Sequence, residues 1–511
     1  MRFAAPLFLT IAAACHAQAT DEAPRKDPLR TLADSAMAAP PEIAADLLIR
    51  IAESPKVTDK AFKIELLERA FALAPSAKFN LRLSGTFGRG ASTDSDTGAI
   101  HAALRDGLDT VSLQSRVVRD MLPLDRVKAM QLFNAVPPLA IPKLTCKDAM
   151  TYSADEYYAM IQAVFRQGFT AKERKDEKDV DLIRTTVARM SSPSELEAAS
   201  RLILLPELAP HFRMLLAAYS GALQQMQADD RTFGVATQGG AVIRFSALRQ
   251  AAAERGVPIN PLWDAARTYL VRHLGATRCA DSVEPQGLGR TISIAVRTFN
   301  DTLVADALPQ ALTLGPITPE EATPSRVEGR AEIFPYWETP RTKKLLMDLK
   351  QLRFGTEEQQ AENNKKPQRS DGAAQFLTAE QRSERAWETS VREYLKDVQR
   401  WNSDHEESEA NYFHMACIIY HGLLELIPAH DLKTEILRSY LSFLAGSPLR
   451  RESPPEWYMQ VRRILNGMTD QTPEERAWIR EEIRAGGDVV MSILIDMETL
   501  APPAPRAPLA R

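Results

Sequence analysis

Apolar residues recur every three to four positions along most of this chain, and almost nowhere do they alternate. That spacing is the period of an α-helix with one buried face. Ile43, Leu47, Leu48 and Ile51 form one stripe, and Phe62, Leu66, Ala70 and Leu73 form the next, which stops at Pro75. A third runs through Leu113, Val117, Val118 and Met121. A fourth runs through Val127, Met130 and Phe133, closed by Asn134 and Pro137. Similar stripes recur over residues 157–164, 182–190, 196–205, 212–225, 262–274 and 292–303. Helix starts are marked as well. Thr318-Pro319-Glu320-Glu321 and Thr472-Pro473-Glu474-Glu475 place Thr at the N-cap, Pro in the first turn and Glu at the third position. Ser453-Pro454-Pro455-Glu456 repeats the arrangement, which satisfies backbone donors that the helix cannot.

Between residues 355 and 372 the pattern disappears. The stretch "GTEEQQAENNKKPQRSDG" contains no large apolar side chain, so burial cannot offset the entropy of ordering it. A flexible linker is expected over residues 355–378. It separates an N-terminal helical region (28–354) from a smaller C-terminal bundle (379–499) that starts with the stripe Trp387, Val391, Tyr394, Val398 and Trp401. The Pro-rich residues 500–511 read as an extended, disordered tail. The fold class is all-α: an irregular, solenoid-like stack of helix pairs followed by a bundle.

Two fragments have a familiar form. "LERAFALAP" (67–75) and "RVKAMQLFNAVP" (126–137) resemble the close of the second helix of a tetratricopeptide repeat, where small and large apolar residues precede a proline. The two prolines stand 62 positions apart, which is not a multiple of that family's ~34-residue period. The first-helix glycine and aromatic signature is absent. The resemblance therefore implies helix pairs rather than a regular repeat array.

Residues 1–19, "MRFAAPLFLTIAAACHAQA", place one Arg before an apolar run and small residues after it. This is the order of a secretory signal peptide, with an apolar core too short to span a bilayer. Export to a periplasmic or secreted location is expected. Cys15 after three alanines leaves a lipoprotein anchor as the alternative. No later stretch is long and apolar enough for a transmembrane helix. The formal net charge of −4 argues against nucleic acid, which needs a concentrated excess of Lys and Arg.

Candidate chemistry is sparse. In "HMACIIYH", His414, Cys417 and His421 share a helix face, and Glu425 lies one turn further on. Imidazole and thiolate suit zinc, so these residues are the candidate metal ligands. However, Cys417 sits within a core stripe of Phe413, Tyr420, Leu424 and Ile427, which leaves the two histidines on its margin, each with one edge in water. A single helix does not normally close a tetrahedral site. "SDHEESE" (403–409) lacks the H-E-x-x-H spacing, and "STDSDTG" (92–98) lacks the glycine and closing glutamate of a calcium loop. "GTFGRG" (85–90) has no parallel strand before it and no Lys-Ser/Thr after it, and the chain has no G-x-S-x-G elbow. Cys146 and Cys279 each precede Ala or Lys and then Asp in a break between helical stripes, and in an oxidising compartment they are candidates for a disulfide. With no catalytic spacing and no cofactor motif, the expected function is a scaffold that holds a protein or peptide partner in grooves between helices. The alternative is a helical enzyme, hydrolytic or metal-dependent, whose site forms only in three dimensions. A pocket joining His211, His273 or His414 to carboxylates would mark that second case.

Overall fold

The computed structural model describes residues 27–85, 106–142, 150–227, 243–275, 285–305, 312–317, 338–355, 385–403, 408–427, 430–466, 472–486 and 488–500. The leader with Cys15, the disulfide candidates Cys146 and Cys279, all but Gly355 of the linker, and residues 501–511 lie outside these. So do the helix start at Thr318 and the polar stretches around Asp94 and His405. The fold is all-α. Among the described residues one short ladder departs from helix: β1 (Leu83–Gly85) pairs antiparallel with β2 (Met150–Tyr152), Leu83 lying opposite Tyr152. Runs of three are too short for alternation to show, so the periodicity gives no sign of them.

The N-terminal helices are α1 (Pro28–Ala36), α2 (Pro41–Glu53), α3 (Lys60–Leu73), α4 (Thr110–Met121), α5 (Arg126–Ala135), α6 (Asp155–Gln167), α7 (Ala171–Lys175) and α8 (Lys178–Ala188). Then come α9 (Leu196–Ile203), α10 (Phe212–Gln225), α11 (Ile243–Glu254), α12 (Asn260–Gly275) and α13 (Pro285–Ala305). Packing largely follows chain order: α2 lies on α3, α3 on α4, α4 on α6, α6 on α8, α8 on α10 and α10 on α12. Aspartates start several of these helices. Asp59 accepts from Ala61 N–H, Asp109 from Ser112 N–H and Asp125 from Lys128 N–H. The stripes read from the sequence point inward: Ile43, Leu47, Leu48, Ile51, Leu66, Leu113, Val117 and Met121 are each fully buried.

The C-terminal helices are α14 (Pro340–Phe354), α15 (Arg385–Arg400), α16 (Glu409–Leu426), α17 (His430–Gly446), α18 (Leu449–Glu452), α19 (Pro454–Asn466), α20 (Pro473–Ala485) and α21 (Val489–Leu500). At Thr472 the expected reciprocal cap forms with Glu475. Although α14 precedes residues 356–384, it packs on α15 and α16, which follow them. Tyr394 Oη donates to Leu345 O at 2.8 Å, and Trp387 Nε1 donates to Leu352 O at 3.1 Å. The chain then returns to its start. Helix α21 packs on α1, and α19 packs on α2. In a stack with neighbour contacts only, the two ends would not meet.

A buried charge cluster closes that return. Asp46 of α2, fully buried, accepts from Arg50 Nε and Arg116 Nη1, each at 2.6 Å, and from Tyr458 Oη of α19 at 3.2 Å. Arg462, one turn beyond Tyr458, pairs with Asp106. Burial works against the charge on Asp46, but Arg50 and Arg116 together hold its carboxyl well below the usual range. Among the described residues no single helix is long and apolar enough to cross a membrane.

Candidate functional site

Helix α5 leaves its apolar stripe only partly covered. Its one fully buried residue is Ala129. Met130, Leu132 and Phe133 are half-buried, and Val127 is 58% exposed. The fourth stripe of the sequence therefore does not complete a core. Three anchors hold α5 in place: Arg126 Nη1 donates to Gly168 O at 3.1 Å, Lys128 pairs with Glu68, and Gly168 allows close approach. A Cβ on Gly168 would stand 2.7 Å from Met130 Sδ and from Val164 O, so only glycine lets α5 sit this near the end of α6.

The C-terminal end of α5, through Phe133 and Asn134, borders a cleft of about 250 Å³ against α6 and α8. Phe133, Val136, Leu139, Ile161 and Leu182 make its apolar walls. Val136 leaves the helix in an extended conformation (ψ 125°), as the following proline requires, and residues 137–142 continue without regular structure. The chain itself thus lines the cleft with Val136, Pro138 and Leu139. Tyr157 stands beside the Leu139 backbone. Burial, then the nearby Glu195 carboxylate, raises its phenol pKa. Asn134, Thr185 and Arg189 give the rim amide, hydroxyl and guanidinium groups.

Beneath the cleft Glu195 is fixed rather than free. Its Oε1 accepts from Ser191 N–H at 2.9 Å and Ser192 N–H at 3.1 Å, and its Oε2 accepts from Tyr158 Oη at 3.0 Å. Burial raises its pKa, and the two backbone donors oppose that rise. A carboxylate with three donors on it supports the floor; it is not poised to take a proton from a substrate. Apolar walls and a hydrogen-bonding rim suit an extended chain that presents side chains and backbone together.

The "HMACIIYH" face lies elsewhere, on α16. Cys417 is fully buried, and burial pushes its thiol pKa up. His414 does not keep the wet edge expected of it: it is 1% exposed. His421 is half-buried, with Nε2 3.0 Å from Tyr440 Oη. Burial, then the charge of Arg463, pushes both imidazoles down to about 3. Glu425, one turn from His421, pairs instead with Arg353 of α14 at 3.2 Å. Among the described residues no three His, Cys, Asp or Glu side chains gather as metal ligands. His273 reaches two backbone oxygens, of Tyr269 at 3.0 Å and Gln227 at 3.1 Å, and ties α12 to the end of α10. His211 ends a 3₁₀ turn and is half-buried.

No protein-family model, curated protein or solved structure matches this chain. What its clefts can hold follows from their own geometry. The stripes 157–164 and 182–190 were legible in the sequence as helix faces. That they meet Val136, Pro138 and Leu139 around an open space was not.

Proposed function

We propose that this protein is a helical scaffold of an exported compartment that holds an extended peptide segment of a protein partner in the cleft between α5, α6 and α8. One observation supports the reading: the half-buried Phe133 at the end of α5, and Val136, Pro138 and Leu139 just after it, stand across an open cleft from the apolar walls of α6 and α8. Groups that water would otherwise wet gain by burial against a partner, at roughly 25 cal/mol for each Å² removed from solvent. The rim of Asn134, Thr185 and Arg189 offers donors and acceptors to the partner's backbone. Export is supported by the signal-like order of residues 1–19.

The alternative, catalysis, has less behind it. His273 and His421 contact backbone carbonyls and a phenol, and Glu195 is held by three donors. The reading is tested by affinity capture with Leu182→Asp, which puts a charge into the cleft wall at a half-buried position. Partners retained by the wild type and lost by a folded Leu182→Asp variant support it. Partners bound equally by both contradict it.

A further inference from the structure

A second cleft, about 320 Å³, opens between α14, α16 and α19. Its size falls within the range of small-molecule sites. Close packing defines it: a Cβ on Gly422 would stand 2.7 Å from Leu349 Cδ2, so the glycine lets α14 lie near α16. Leu346, Leu349 and Ile418 give the cleft an apolar side. Lys350 and Arg353 come from α14, and Arg463 comes from α19.

These three cations share the cleft lining with one carboxylate, Glu425, whose Oε2 lies 3.2 Å from Arg353 Nη2. His421 also lines the space, but its imidazole remains neutral at ordinary pH and contributes no charge. Among the lining residues cations therefore outnumber carboxylates three to one, on a surface that also has an apolar wall. Guanidinium groups match planar or tetrahedral oxyanions through parallel N–H donors, and lysine adds a compact charge. Neither cation spacing nor apolar pattern exposes this in the sequence, because Arg463 stands more than a hundred positions from Lys350 and Arg353.

We propose that this cleft binds a small organic anion, with its carboxylate or phosphate group on Lys350, Arg353 and Arg463 and a short apolar body against Leu346, Leu349 and Ile418. Glu425 pairs with Arg353, and the ligand's anionic group displaces it.

Titration calorimetry of the full-length protein tests this with benzoate and phenyl phosphate, with benzamide as the neutral match and inorganic phosphate as the match without an apolar body. Saturable binding of benzoate or phenyl phosphate is expected, with benzamide weaker by roughly tenfold or more. The tighter of the two anions identifies the head group. Lys350→Glu should weaken that binding by roughly tenfold, and Glu425→Gln should strengthen it severalfold by removing the competing carboxylate. Lys350 and Glu425 are both exposed, so the fold tolerates these changes, and thermal melting of each variant checks that. Absence of saturable binding at millimolar anion, equal binding of benzamide, or unchanged affinity in both variants would overturn the proposal. Inorganic phosphate binding as tightly as phenyl phosphate would overturn the apolar half of it.

Discussion

Tyr458 Oη donates to Asp46 Oδ2 at 3.2 Å, across 412 positions of sequence. The bond fastens α19 onto α2 at a carboxylate already neutralised by Arg50 and Arg116. Removing that carboxylate strands two largely buried guanidinium groups. Asp46→Asn should therefore destabilise the protein by about 3–5 kcal/mol, the usual cost of breaking a buried ion pair from one side. Tyr458→Phe removes one hydrogen bond only and should cost about 1 kcal/mol. Urea denaturation of the two variants and their double mutant gives the coupling. A loss of under a kcal/mol for Asp46→Asn would show that the cluster does not hold the chain ends together.

Stability should depend on pH with two opposite signs. His414 and His421 have folded pKa values of about 3, below the unfolded 6.5. The unfolded chain therefore takes up protons that the folded one refuses, and stability is lost as pH falls from 6.5 towards 3, by up to ~1.4 kcal/mol per pH unit per ring. Asp109 acts in reverse. Burial raises its carboxyl to about 6 from 3.8, so the folded state binds the proton more tightly and stability falls as pH rises through that window, by about 3 kcal/mol in all. Asp109→Asn keeps an acceptor for Ser112 N–H but cannot ionise. Its stability relative to wild type should rise between about pH 4 and pH 7, measured by urea midpoints. A difference independent of pH would contradict the assignment.

Two glycines should tolerate alanine unequally. At Gly422 the added Cβ meets only the end of the Leu349 side chain, which can rotate away. At Gly168 it meets the Val164 carbonyl oxygen as well as Met130, and backbone cannot yield as a side chain does. Gly168→Ala should cost about 1–3 kcal/mol and loosen α5, whereas Gly422→Ala should cost less. Thermal melting orders the two, and the reverse order would contradict the packing described at α5.

Much of the fold is legible in the sequence because a helix that faces the core repeats its apolar residues with its own period. Leu113, Val117, Val118 and Met121 do so and are fully buried. The same period misleads at α5, where Val127, Met130 and Phe133 follow the rule yet stay exposed or half-exposed. Periodicity says that a face is apolar; it does not say what covers it. Helix α2 shows the opposite failure. Its pattern predicts one buried face, but Glu42 and Asp46 are buried with the apolar residues: Glu42 accepts from Lys78 N–H, and Asp46 meets Tyr458 of α19. The margin assigned to His414 is overturned in the same way, since a residue beside a core stripe becomes core when another helix crosses it. Both clefts depend on residues from separate helices, and no local spacing records their meeting.

The most direct test of the peptide-holding cleft is photo-crosslinking from its rim. A benzophenone amino acid at Thr185, and another at the 58%-exposed Val127 as a control, are irradiated in native cells, and the adducts are sequenced by mass spectrometry. The account predicts adducts at Thr185 that map to an extended apolar segment of a partner, disappear with Leu182→Asp and are not reproduced at Val127. Adducts absent at Thr185, or unchanged by Leu182→Asp in a folded protein, would contradict it.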